Sequence, residues 1–307
     1  MRKYLNIALG LLVVIVFAGC KDLYDLPDEV KNVRLLVVEG QINAGAGPTT
    51  IKLSRTVNLK DTASIKPELK AVVTVEGENG SNYTLTGDTK GQYSNAQLAI
   101  NANVKYRLRI KTTDNKEYLS EYVPVVNAPP IDSVNWQRKE SGIETGIQIF
   151  VNTHDPQNNT RYYRWEYDAT WEFHSPYFSG FEFQNGKVIS RVEPNKVLIC
   201  WKSESSSQVF LGSSAKLSQD QISLFPLNII PFSSIKISVR YSILVKQYAL
   251  TKQAFEYWDV LKKNTEQVGT LFDPQPSNLI SNIHCVSNPG ELVVGFISAG
   301  AVSEKRF

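Results

Sequence analysis

A cysteine at position 20 stands where its thiol would meet one particular chemistry. Arg2 and Lys3 give a basic start, Ile7 to Ala18 is an apolar run, and Ala18 and Gly19 precede Cys20. The run is shorter than the ~20 apolar residues a spanning helix needs, and its flanks are those of a cleaved export signal. Phe17-Ala18-Gly19-Cys20 is similar to a lipobox, the tetrapeptide whose cysteine sulfur is acylated before cleavage, with phenylalanine where leucine is usual. The expected mature chain therefore begins at Cys20 and hangs from a membrane by its lipid. A plain secretory peptide with an incidental cysteine is the weaker reading.

Cys200 and Cys285 are the cysteines that remain. In an exported chain an even pair reads as a disulfide. The bridge would close a loop of about 85 residues, worth roughly 4–5 kcal/mol in the chain-entropy account. Two separately buried thiols are the alternative.

Other reactive side chains carry little pattern. His154, His174 and His284 share no metal-ligand spacing. No G-x-S-x-G elbow and no phosphate-cradling glycine motif occurs. The expectation is a protein without catalytic residues, metal or cofactor. Asp61-Thr62-Ala63 and Asp132-Ser133-Val134 match a short O-glycosylation pattern of exported bacterial proteins, with Thr62 the better acceptor because Ser133 begins a strand.

Aromatic residues offer a binding chemistry instead. Tyr163, Trp165, Tyr167, Trp171 and Phe173 would suit sugar stacking, yet they share one parity with Ala169 while the other parity is almost wholly polar. That alternation belongs to a strand with one buried face. Tyr177, Phe178 and Phe181 keep no clear period, lie among Pro176, Ser179 and Gly180, and are followed by an Asn185-Gly186 turn. They are either exposed contacts for a partner or ligand or a lid folded onto the core.

Charge narrows the partners. The chain is +3, and losing Arg2 and Lys3 leaves 31 basic against 30 acidic residues, or +1. No basic field exists to draw nucleic acid. Apolar residues at 42% are ample for a packed core.

The elements that must position these residues are mostly strands. Residues 20–33 read as a polar tether. From 34 to 126 short alternating strands such as Tyr106-Leu108-Ile110, with a turn at Asp114-Asn115, predict an immunoglobulin- or prealbumin-like β-sandwich. Asn127-Ala128-Pro129-Pro130 marks the boundary, and 131–307 predicts a larger β-rich domain. Alternation from Ile235 to Val245 gives its longest strand signal. One amphipathic helix is predicted, capped by Thr251, with Ala254, Tyr257, Trp258 and Leu261 on one face and Gly269 past its end.

These features together resemble a lipoprotein family of Bacteroidota called domain of unknown function 4249. The resemblance rests on the lipobox, Val37-Val38-Glu39-Gly40, Tyr162-Tyr163-Arg164-Trp165, Arg240-Tyr241-Ser242-Ile243, Glu256-Tyr257-Trp258, Phe272-Asp273-Pro274-Gln275-Pro276-Ser277 and Asn288-Pro289-Gly290-Glu291. It implies a two-part, mostly β outer-membrane lipoprotein of the kind often encoded beside TonB-dependent transporters, and it hands over no catalytic residue. Lys21-Asp22 followed by acids also resembles the signal that sends such lipoproteins to the cell surface. The expected function is an accessory or ligand-capture subunit working with a transporter. A structural or adhesive surface protein is the second reading, and an unrecognised hydrolase the third.

Overall fold

Alternation of apolar and polar residues builds most of this chain. The computed structural model describes residues 34–57, 65–140, 145–193, 195–266 and 279–307; Cys20, the tether, Thr62 and Gly269 lie outside them. The strands of the first half are β1 (Leu36–Asn43), β2 (Thr49–Arg55), β3 (Lys66–Pro67), β4 (Val72–Gly77), β5 (Asn82–Gly87), β6 (Gln92–Asn95), β7 (Tyr106–Lys111) and β8 (Glu117–Ser120). There follow β9 (Ile131–Lys139), β10 (Gly146–Asp155), β11 (Tyr162–His174), β12 (Phe181–Gln184), β13 (Lys187–Ser190), the short helix α1 (Asn195–Leu198), β14 (Ile199–Ser205), β15 (Phe210–Ser213), β16 (Asp220–Pro231) and β17 (Arg240–Ala249). The helix α2 (Lys252–Glu266) precedes β18 (Ile283–Cys285), β19 (Val293–Gly295), β20 (Ala299–Gly300) and β21 (Ser303–Arg306). The protein is thus mostly β with one substantial helix.

The first sheet runs β18-β8-β7-β4-β5-β6-β2-β1-β19, and its ends approach each other, so it nearly closes into a barrel. Every second residue points inward: Leu36 and Val38, Ile51 and Leu53, Val73 and Val75, Leu108 and Ile110 are all buried. The sandwich expected here is the two sides of one curled sheet around one core. Residues 283–300, which the sequence groups with the second half, complete that sheet. β18 pairs with β8, while β19 and β20 run parallel to β1. Ile283, Cys285, Val293 and Ile297 are members of the first core.

The chain therefore passes between the modules twice, side by side. Val126 N donates to Ala299 O at 2.8 Å and Ala128 N to Ala301 O at 3.0 Å. Asn127 Oδ1 accepts from Ala301 N at 2.9 Å, and Ser303 Oγ from Ile131 N at 3.1 Å. The segment containing Pro129 and Pro130 is thus one rail of a hydrogen-bonded pair. Gly300 permits the approach, because a Cβ there would overlap the Val126 carbonyl oxygen.

In the second module the sheet β16-β10-β9 faces the sheet β14-β11-β17-β21, with β15 also paired to β11. Tyr163, Trp165, Tyr167 and Ala169 of β11 meet Val134, Ile149 and Val151 of the facing sheet. The Trp165 indole donates to Gln247 at 2.8 Å, and the Gln247 amide donates to Pro129 O at 2.8 Å and Thr153 Oγ at 3.0 Å. These partners satisfy the buried Gln247 amide, which would otherwise be costly. The core reading of the β11 aromatics holds, and β11 is the longest strand. Ile235–Ile237 is instead a 3₁₀ turn. Ser234 Oγ accepts from Lys236 N at 3.3 Å and Ser238 Oγ donates to Ile235 O at 2.8 Å, local bonds that compete with a ladder. Strand pairing begins only at Arg240.

Helix α2 starts as expected, with Thr251 Oγ accepting from Ala254 N at 3.2 Å. Tyr257 packs on Phe296 with ring centres 5.3 Å apart. The Arg164 guanidinium lies over both Tyr248 (4.2 Å) and Trp258 (4.3 Å), joining helix to sheet.

Candidate functional site: an exposed apolar hairpin

β11 and β17 run antiparallel from the crossover, where Tyr163 faces Ala249, to the far end of the second module, where Glu172 faces Arg240. Beyond that end the chain makes an excursion from Ser175 to Leu198 before returning as β14. Ser175 N donating to Leu198 O at 2.8 Å closes its base. Within it β12 and β13 form a two-stranded ribbon that pairs with no third strand among the described residues. Asn185 and Gly186 both have positive φ, 49° and 78°, as a two-residue primed turn requires. Arg191 N donates to Gly180 O at 2.8 Å, and the Arg191 guanidinium to Glu182 at 2.9 Å, which fixes the ribbon's root.

The register sorts the ribbon into two faces. Phe181 lies opposite Ser190 and Phe183 opposite Val188, whereas Glu182 faces Ile189 and Gln184 faces Lys187. Directly paired residues share a side. One face is therefore Phe181, Phe183, Val188 and Ser190, and the other is largely polar. Among the described residues nothing covers the apolar face: Phe183 is 75% exposed, Val188 70% and Phe181 64%. Tyr177 at 82% and Phe178 at 64% continue the patch towards the root. These residues stand in solvent, so they are not a lid on the core. A contiguous exposed apolar patch of this kind marks an interaction site.

Polar groups brace the root. Glu172 is buried, its carboxylate 3.3 Å from His174 Nε2 and 3.8 Å from Arg240 Nε. The Arg240 guanidinium sits 6.0 Å from the ring of Trp201, which is half exposed. Lys236 pairs with Glu204 and lies 5.0 Å from the Trp171 ring.

The other residues singled out by sequence fall elsewhere. Cys20 and Thr62 lie outside the described residues. Cys200 and Cys285 are both free, which corrects the expected disulfide. Cys200 is on β14 opposite Phe173, at the root of the hairpin, while Cys285 is buried in the first module opposite Tyr118. The return of β18 to the first sheet puts the two thiols in different sheets. Ser133 lies in β9, and its hydroxyl accepts from Asn135 at 3.2 Å and Asn152 at 3.0 Å. Each histidine meets one carboxylate in a separate place: His154 and Asp132 at 2.8 Å, His174 and Glu172 at 3.3 Å, His284 and Glu121 at 3.7 Å. The hydrogen bond to Asp132 raises His154 above the ordinary histidine value. Among the described residues no group of three or more His, Cys, Asp or Glu gathers into a metal site.

A cleft of about 290 Å³ opens between α2 and the chain before β18, floored by Tyr257 and Phe296 and rimmed by Glu121 and Glu256. Asn282 at its edge is already committed, donating to Ile297 O and accepting from Ile297 N, both at 2.9 Å. The rest of its lining is Gln253, Val260, Ile280 and Ser281, and Ser281 Oγ donates to Gly295 O at 2.6 Å. Phe183 and Val188 of the hairpin were missed by the sequence reading; the signal that could have found them is Phe181-x-Phe183 before Asn185-Gly186 with Val188 after it, a hairpin pattern with one apolar face.

No curated protein matches this chain. The profile of the family described as a domain of unknown function (DUF4249) matches residues 22–306, and the chain belongs to that family.

Proposed function

We propose that this protein is a lipid-anchored outer-membrane lipoprotein that acts as an accessory or ligand-capture subunit beside a TonB-dependent transporter. Its work is binding rather than chemistry. The observation that carries the reading is the exposed apolar hairpin on a double-sheet module, in a sequence that opens with a lipobox-like segment and a polar tether. A loop or ribbon held by a stiff scaffold is a common vehicle for recognition. The acidic Lys21-Asp22 tether favours the cell-surface leaflet.

Two measurements test it. Radiolabelled palmitate should enter the wild-type protein and not Cys20→Ser, and the variant should leave the membrane fraction. Affinity purification of the full-length protein from mild detergent should recover a barrel protein in constant ratio. Recovery without any barrel protein, or membrane retention of unlabelled Cys20→Ser, would overturn the reading.

A further inference from the structure

We infer that the apolar face of the β12–β13 ribbon, and not the ribbon as a whole, docks into an uncharged apolar groove on the membrane-embedded partner protein. This rests on the accessory-subunit reading and assigns its contact to Phe181, Phe183 and Val188, extended by Tyr177 and Phe178.

The register carries the argument. Cross-strand pairing places Phe181, Phe183, Val188 and Ser190 on one side, and Glu182, Gln184, Lys187 and the less exposed Ile189 on the other. An isolated two-stranded ribbon is marginal in water. One whose entire apolar face is turned to solvent lacks the packing that normally holds such a ribbon.

Three features select a protein partner. The charges of the excursion nearly balance, Glu182 and Glu193 against Lys187, Arg191 and Lys196 for a net +1, well short of the basic cluster that draws a segment to anionic lipid. The extremity of the ribbon is polar, Gln184-Asn185-Gly186-Lys187, where end-on insertion into hydrocarbon would need apolar residues. Four aromatics worth about 150–250 Å² each when fully buried, here 64–82% exposed, supply roughly 400–700 Å². With Val188 added, that approaches the ~800 Å² per side of a standard specific complex and falls short of most obligate homodimers. A shape-matched groove also explains the absence of charge: such interfaces place aromatic anchors centrally and exclude charged residues from the core.

The experiment compares three full-length anchored proteins in their native membrane: wild type, Phe181→Ser with Phe183→Ser, and Gln184→Ser with Lys187→Ser. Recovery of the barrel protein in mild detergent should fall at least tenfold for the apolar-face variant and stay within twofold for the polar-face variant. Both should melt within about 2 °C of wild type, as substitutions at exposed sites do. Equal recovery by all three would overturn the inference while leaving the accessory reading intact. A barrel protein absent even from wild type would remove both. A large loss of melting temperature in the apolar-face variant would assign those rings to packing instead. Flotation of the purified Cys20→Ser protein with phosphatidylethanolamine–phosphatidylglycerol vesicles, lost in the apolar-face variant, would make lipid the occupant. Concentration-dependent dimerisation of that protein, lost in the same variant, would make it a second copy.

Discussion

Glu291 shows what a single side chain does in this molecule. Its carboxylate accepts from Lys116 Nζ and from the Tyr118 hydroxyl, both at 2.6 Å, and lies 3.5 Å from Arg55, which also binds Glu68 at 2.6 Å. Burial by itself raises the Glu291 carboxyl, but the Lys116 and Tyr118 bonds outweigh it and hold the group below its ordinary 4.5. Burial, with the bond to Glu291, pushes the Tyr118 phenol upward. The loop before β19 is thereby clamped to β7–β8 and β2. Glu291→Gln should cost about 1–3 kcal/mol, the range for breaking charge-assisted bonds in a half-buried site. A carboxylate held below its unfolded value contributes above that value and stops contributing as the pH falls through the folded one. The melting-temperature gap between wild type and Glu291→Gln should therefore be full at neutral pH and shrink as the pH falls below 4.5; a gap independent of pH would contradict the clamp. Nothing in the residues around Glu291 marks this role, because its partners are more than 170 positions away. Tyr177 and Phe178 were singled out by type and by the lack of period around them, though sequence could not choose between lid and contact.

At the level of elements, alternation was readable wherever one face is buried. It gave β4, β5, β7 and β11 and the helix start at Thr251. It misled at Ile235–Ile237, where two serines satisfy the backbone locally. The partners of β18, β19 and β20 were hidden, since two- and three-residue strands carry no period and pair with segments far away in sequence. The predicted disulfide failed for the same reason. Docking of α2 was legible only as an apolar stripe; its anchor, Arg164 stacked between Tyr248 and Trp258, is a tertiary fact. Arg164→Ala should destabilise by about 1–3 kcal/mol, since a desolvated guanidinium over two rings exceeds the exposed-pair value. Arg164→Lys should recover less than half of that, because an ammonium keeps the charge but not the planar stack. Chemical denaturation with amide exchange of residues 252–266 measures both. Full recovery by lysine would show that charge alone, through the ion pair with Glu166, holds the helix.

Over the whole molecule, the double crossover makes the two modules one connected scaffold. β1 leads from the Glu291 clamp, where Arg34 O accepts from Arg55, to the crossover, where Ile42 pairs with Ala299. β21 and β17 carry on from there to Arg240 and the root of the hairpin. The apolar ribbon and Arg34, the first residue described, thus lie at opposite ends of the strands that join them. The mostly β class was readable from composition and pattern; this polarity was not, because it depends on strands that return from the C-terminal segment.

The most direct measurement places a photoactivatable phenylalanine at Phe183 or at Gln184 in intact cells and identifies the adducts by mass. Docking through the apolar face predicts one dominant adduct with a barrel protein from position 183 and at least tenfold less from its neighbour. Equal yields from both positions, or lipid as the main adduct at 183, would contradict the account.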